Sequence, residues 1–278
     1  FVTAGAVYRE NHRPKLPANY TLQNLTNTTV VATGASSGIG KATVTKLRDE
    51  LGAVIYSGSR SQGNLDLSDV VGVRKFAQSI EKCDLLLLAA AEIDSTPGAT
   101  TKHGLDKMFA TNHVGLQALL MELEYRNLIP ARVVIVGSKL ERNGVVDPAI
   151  IRATAGAKLN DSEQRTLVQH YSDTKLCNQL LVTALTRRWP ETKVFVVSPG
   201  MVDTGLWRNF PPWFQFVTWP LRKIALRTPE DAALGVVYAC ASNEVTFEPS
   251  GSLLVDGRVE EASTKSRDPK TAQEFWKV

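Results

Sequence analysis

Tyr171 and Lys175 stand four residues apart in Ser162–Arg188, a stretch of helical pattern, so their side chains lie over adjacent turns and can meet. A phenol, with a pKa of about 10 when free, is too weak an acid–base group at neutral pH. A neighbouring ammonium favours its ionised form. Ser138 follows the apolar run Arg132–Val136 and Gly137, where its hydroxyl could hydrogen-bond the same oxygen that the phenol serves. Together these three groups suit proton transfer at a carbonyl or alcohol, an effect of about 10²–10⁴-fold. A Tyr–Lys pair alone is a common accident on helices, so its weight depends on what surrounds it.

Upstream, Val30–Gly40 reads VVATGASSGIG, an apolar run ending in a glycine-rich turn with a helical pattern behind it. Gly34, Gly38 and Gly40 offer backbone with no Cβ, and Ser36, Ser37 and Ile39 complete the turn. A diphosphate can approach closely where main-chain N–H groups converge at a helix N-terminus. A glycine turn that follows a strand and opens a helix is the context in which such a pattern signals a dinucleotide. A cationic nicotinamide ring would also favour the phenolate of Tyr171.

The choice of dinucleotide is read just past the second apolar run, Ala53–Ser57. A site for NAD places an acidic side chain there, whereas a site for NADP accommodates the 2′-phosphate with Arg or Lys. No Asp or Glu occurs between Ala53 and Leu65, while Ser57, Ser59 and Arg60 are all phosphate-compatible. The cofactor expected is NADP(H), with Arg60 on the 2′-phosphate. Asp66 could accept a hydrogen bond from the adenine amino group, or its neighbours could simply start a helix over Asp69–Glu81.

These groups need a parallel sheet to carry them. Strands are expected at Val30–Ala32, Ala53–Ser57, Leu65–Leu67, Asp84–Ala91, Arg132–Val136, Lys193–Val197 and Ser252–Val255. Helices are expected at Lys41–Glu50, Gly104–Asn127, Ser162–Arg188 and Thr228–Ser242, the last opened by Pro229. The fold class is α/β: a single-domain Rossmann fold with a doubly wound, mostly parallel seven-stranded sheet. Only four residues separate Ala53–Ser57 and its following Gly-Ser-Arg from Leu65, so the usual helix after strand 2 is expected to be absent. Ala89 and Ala90 end their strand in small side chains that let a ring or backbone come close, at the edge where ligands bind. Asn112, a poor interior helix residue, points to a buried hydrogen-bonding task.

Residues 1–28 read as an irregular, loosely packed N-terminal arm before the domain at 29–278. Residues 206–226, with aromatics interleaved with prolines, read as a lid over an apolar substrate or a patch for a membrane surface. Hydrophobic content of 43% and charged content of 22% are those of a soluble globular protein. A net charge of +4 without a Lys/Arg tract excludes a nucleic-acid partner from this reading and suits a phosphorylated cofactor. Cys83, Cys177 and Cys240 are too scattered for a disulfide framework, and no His or Cys spacing suggests a metal. A reducing, cytoplasmic location fits, at a membrane surface if the aromatic patch docks there. Asn19, Asn24 and Asn27 each begin an N-x-T triplet that could accept a glycan in a secretory lumen.

From TGASSGIG at Thr33 to SGSLLVDG at Ser250, the chain resembles the short-chain dehydrogenases/reductases. Asn112 in TNHVG, Ser138, and Tyr171 and Lys175 in YSDTK match that family's Asn-Ser-Tyr-Lys tetrad. The resemblance implies that Tyr171 donates or accepts the proton and that Lys175 lowers its pKa and holds the nicotinamide ribose. It implies that Ser138 polarises the carbonyl and Asn112 binds a water in the proton relay. Pro199, Gly200, Val202 and Thr204 resemble the loop that touches the nicotinamide carboxamide. YSDTKLCN, TNHVG and the aromatic stretch are most similar to the retinol-dehydrogenase-like branch, which includes protochlorophyllide reductase and mostly uses NADP(H) on lipophilic substrates. The family's Asn-Asn-Ala-Gly is replaced by Leu88-Ala89-Ala90-Ala91, which removes a sheet-supporting asparagine.

The function expected is NADP(H)-dependent interconversion of a carbonyl and an alcohol on a lipophilic small molecule. The same site could serve C=C reduction or cyclisation, or the chain could be a non-catalytic NADP(H) sensor. A sensor has no physical need of an activated phenol. By analogy, a homodimer could form through the helices at 104–127 and 162–188.

Overall fold

A computed structural model describes residues 13–94, 96, 98–146, 166–204, 216 and 226–276. Among them, seven strands form one sheet: β1 Thr29–Thr33, β2 Val54–Gly58, β3 Leu85–Leu88, β4 Arg132–Val136, β5 Lys193–Ser198, β6 Leu253–Val255 and β7 Arg258–Glu260. Their order is β2-β1-β3-β4-β5-β6-β7, parallel throughout except for β6 against β7. The helices are α1 Gly38–Asp49, α2 Val70–Gln78, α3 Lys107–Phe109, α4 Gly115–Tyr125, α5 Leu167–Arg188, α6 Pro229–Ala241 and α7 Pro269–Trp276.

Alternation along the strands divides the core into two layers. Val31, Leu86, Leu88, Val133 and Ile135 face α2, α4, α5 and α7, meeting Phe76, Leu120, Leu180 and Phe275. Val30, Ala32, Leu87, Val134 and Val136 face α1 and α6, meeting Leu47 and Val236. Strands apolar on both faces are what a sheet covered on both sides requires. The doubly wound, mostly parallel seven-stranded sheet is therefore as expected, and residues 59–69 contain no helix.

The membership of the seven differs. Leu65–Leu67 is not a strand. Leu65 and Leu67 are buried, which mimics strand alternation, but they bury a loop against Gly58 and Gly115. A Cβ on Gly115 would lie 2.2 Å from the Leu67 carbonyl oxygen, so the missing side chain lets this loop press onto α4. Asn64 caps the free edge of β2, donating from Nδ2 to the Ser57 carbonyl at 2.9 Å and accepting from Ser59 N–H at 2.9 Å. The seventh strand is β7, directly after the strand expected at Ser252–Val255. Asp256 and Gly257, with φ of 50° and 72°, make the tight hairpin that returns it onto β6.

Two other expectations change. The helix expected over 104–127 runs from Lys107 to Tyr125 and is broken by a π-helical turn at Ala110–Val114. Residues 13–28 are docked rather than loose. Leu25 is buried, the Tyr20 ring meets Tyr238 edge-on at 5.4 Å, and Gln23 N–H donates to the Ala241 carbonyl at 2.8 Å. Apolar side chains on the arm find the open flank of α6. The start of the helix expected at Ser162 lies outside the described residues, as does the lid-like stretch 206–226 apart from Phe216 and Leu226.

Candidate active site

At the carboxyl edge of the sheet, β1 leads to β2 on one side and β3 on the other, which is where open α/β sheets bind ligands. A cleft of about 620 Å³ opens there. Gly34, Ser36, Ser37, Gly38, Ile39 and Gly40 line it from the end of β1, and Arg60 and Asp66 from beyond β2. Ala89 and Ala90 line it past β3, Ser138 past β4, and Pro199, Gly200, Val202 and Thr204 past β5, with Tyr171 and Lys175 from α5. Of the residues expected from the sequence, Asn112 and Ser57 are not in the wall.

The glycine turn is built on close approach. Gly34 has φ of 70°, and a Cβ there would lie 2.6 Å from the Ala90 backbone nitrogen. At Gly40 it would lie 2.3 Å from the Gly34 carbonyl oxygen. The turn thus packs directly on the Ala89–Ala90 backbone and, at Gly40, on the Ala89 methyl. Ser37 caps α1 in an extended conformation without a side-chain bond to the helix, and the first turn carries no acidic residue. The helix therefore presents unneutralised N–H groups to the cleft, the electrostatics an anion requires. The loop past β5 is held by Arg227, whose guanidinium bonds Asp256 through Nη1 at 2.6 Å and Nη2 at 2.9 Å. Arg227 Nη1 also donates to the Pro199 carbonyl at 3.1 Å. The Asp-Gly hairpin signal could have exposed this brace in the sequence.

On α5, Lys175 is buried, and its Nζ lies 5.3 Å from the Tyr171 ring centroid while donating to the Val136 carbonyl at 3.2 Å. Burial lowers the Lys175 ammonium to about 8 and raises the Tyr171 hydroxyl above the ordinary phenol range. The expectation that Lys175 depresses the tyrosine is not met by the chain alone. The ammonium sits over the ring face, and desolvation of the phenolate prevails. Ser138 caps the 3₁₀ turn Lys139–Asn143, its Oγ accepting from Leu140 N–H at 3.2 Å.

Asn112 stands one layer behind the wall. Its side chain accepts from Glu92 N–H at 2.8 Å and donates to the Glu92 carbonyl at 2.8 Å and to Thr174 Oγ1 at 3.3 Å. The π-helical turn aims the amide at these partners, tying the segment past β3 to the residue before Lys175. Glu92, which sequence reasoning missed, also lines the cleft. Its Oε2 lies 2.9 Å from Arg60 Nη1, and its Oε1 accepts from Thr111 Oγ1 at 2.9 Å. Asp66 Oδ1 accepts from the N–H and hydroxyl of Ser68 at 2.9 and 2.8 Å, so it starts the loop before α2 while facing the cleft.

Fold and cleft together define a nucleotide-binding α/β protein of Rossmann type. No known protein-family profile matches the chain. Human dehydrogenase/reductase SDR family member 13 is 30% identical over 296 residues, spanning 95% of this chain and 75% of the relative. Human retinol dehydrogenase 14 is 29% identical, spanning 90% and 84%. Polyprenol dehydrogenase of Danio rerio is 30% identical, spanning 89% and 76%. Among solved structures, the 3-alpha-hydroxysteroid dehydrogenase from Pseudomonas sp. B-0831, complexed with NADH, matches with a TM-score of 0.63 at 23% identity over 82% of this chain and 94% of that one. The chain belongs to the short-chain dehydrogenase/reductase family of oxidoreductases, in its retinol-dehydrogenase-like branch.

Proposed function

We propose that the protein is an NADP(H)-dependent dehydrogenase/reductase that interconverts a carbonyl and an alcohol on a lipophilic small molecule. The observation that carries this reading is the convergence of Tyr171, Lys175 and Ser138 on the cleft that the glycine turn and Arg60 also line. Relatives named for retinol and polyprenol support an apolar substrate. The residues fit a nicotinamide dinucleotide: uncapped N–H groups and Ser36 and Ser37 for the diphosphate, Arg60 for a 2′-phosphate, and Pro199, Gly200, Val202 and Thr204 at the nicotinamide end. When bound, that cofactor supplies or accepts a hydride.

The chain's own residues do the rest. Ser138 donates a hydrogen bond to the substrate oxygen. Tyr171 donates its proton to that oxygen in the reductive direction and recovers it in the other. Lys175 holds a positive charge behind the phenol ring and stabilises the phenolate once it forms. Asn112 acts through Glu92 and Thr174, fixing two walls of the cleft. The resemblance further implies that Asn112 binds a water in the proton relay, and its Oδ1, which accepts only from Glu92 N–H, keeps a second lone pair.

The test is NADPH consumption followed by absorbance with a panel of lipophilic aldehydes, ketones and enones. Turnover confined to the aldehydes and ketones supports the reading. Turnover of enones alone, with a saturated carbonyl product, contradicts it in favour of C=C reduction.

A further inference from the structure

Arg60 does not face the cleft as a free cation. The Glu92 carboxylate, which arrives past the end of β3, lies 2.9 Å from Arg60 Nη1. Only 7% of the Glu92 side chain is exposed, against 57% of Arg60. Besides Arg60, the carboxylate is held by Thr111, and the Glu92 backbone is held by Asn112. Thr111 Oγ1 donates to Oε1 at 2.9 Å, and Asn112 grips both the N–H and the carbonyl of the Glu92 backbone at 2.8 Å. Thr111 and the pinned backbone together keep the Glu92 carboxylate beside Arg60 when an anion arrives. Lys107, a further cation close enough to feel Glu92, is committed to Asp94 at 2.7 Å.

A poorly hydrated charge interacts with its neighbours with little screening. A 2′-phosphate drawn to Arg60 meets this fixed negative charge in the same cleft, whereas a ribose lacking the phosphate does not, and its hydroxyls can donate to a carboxylate. From this geometry we infer that Glu92 is a specificity-determining residue: it offsets Arg60, so that the preference for the phosphorylated dinucleotide is smaller than Arg60 alone would give. The inference rests on the proposed assignment of Arg60 to the 2′-phosphate.

The experiment measures Kd for NADPH and NADH by calorimetry on the full chain, and reads the ratio Kd(NADH)/Kd(NADPH). A merely structural role would weaken both ligands together and leave that ratio fixed. Glu92→Gln keeps the shape and an acceptor for Thr111, and it is expected to raise the ratio about tenfold through tighter NADPH. Glu92→Met, also neutral, is expected to raise it likewise, and Glu92→Asp, which keeps the charge, is expected not to. An unchanged or lower ratio in whichever neutral variant melts like the wild type overturns the inference. Arg60→Gln reports separately on the underlying assignment. If it leaves the wild-type ratio untouched, Arg60 does not read the phosphate, whatever Glu92 does.

Discussion

Lys175 Nζ lies over the face of the Tyr171 ring, 5.3 Å from its centroid, and bonds the Val136 carbonyl instead of the phenol oxygen. The pair is thus arranged to stabilise a phenolate after proton transfer, not to create one beforehand. Spacing of four on a helix predicted that the two would meet, while the rise in the Tyr171 pKa follows only from how deeply α5 is packed.

Lys175 should make dinucleotide affinity depend on pH. Burial lowers its ammonium to about 8, so the charge is present below that pH and lost above it. Affinity for NADPH is expected to fall as pH rises from 7 to 9. In Lys175→Met the affinity should be weaker and nearly flat over that range, as titration calorimetry can show.

Gly40→Ala would ordinarily stabilise a helix by roughly 0.5–1 kcal/mol. Here the new methyl carbon would lie 2.3 Å from the Gly34 carbonyl oxygen, and only a shift of the turn can relieve the overlap. We expect a loss of about tenfold or more in dinucleotide affinity, with the circular dichroism of the fold retained.

The turn and the catalytic pair were legible because each is a local pattern. Gly34, Gly38 and Gly40 fall between an apolar run and a helix, and Tyr171 and Lys175 share one helix. Contacts between distant segments left weaker traces. Glu92 is one charged residue after an apolar strand, and its partner Arg60 comes from the end of another strand. Leu65 and Leu67 alternate as in a strand, but they are buried by the absence of side chains at Gly58 and Gly115. The hairpin at Asp256-Gly257 did carry a readable signal, obscured by the polar residues around it.

Asn112→Ala should destabilise the fold by about 2 kcal/mol, because it strands a buried N–H and carbonyl of Glu92. Chemical denaturation measures this directly. The same substitution is expected to raise KM for the dinucleotide more than it lowers kcat, since the side chain supports the cleft wall without lining it.

His113 should set an acid limit on stability. It is buried between Phe109 and Phe275, with Nδ1 3.1 Å from Asn178 Oδ1, and burial lowers it to about 4. Between its ordinary value of about 6.5 and that lowered value, the unfolded chain binds the proton and the folded chain does not. Stability should therefore fall as pH drops through this window, by up to about 3 kcal/mol. In His113→Gln, denaturation midpoints at pH 6.5 and 4.5 should differ much less.

The most direct test compares Tyr171→Phe with the wild type, using NADPH and a lipophilic aldehyde that the wild type reduces. Phe keeps the ring beneath Lys175 and removes only the proton donor. Loss of about 10²-fold or more in kcat, with NADPH affinity unchanged, is the predicted result. A variant that turns over at the wild-type rate would contradict the assignment of proton transfer to Tyr171, and with it the account of this cleft as a carbonyl–alcohol active site.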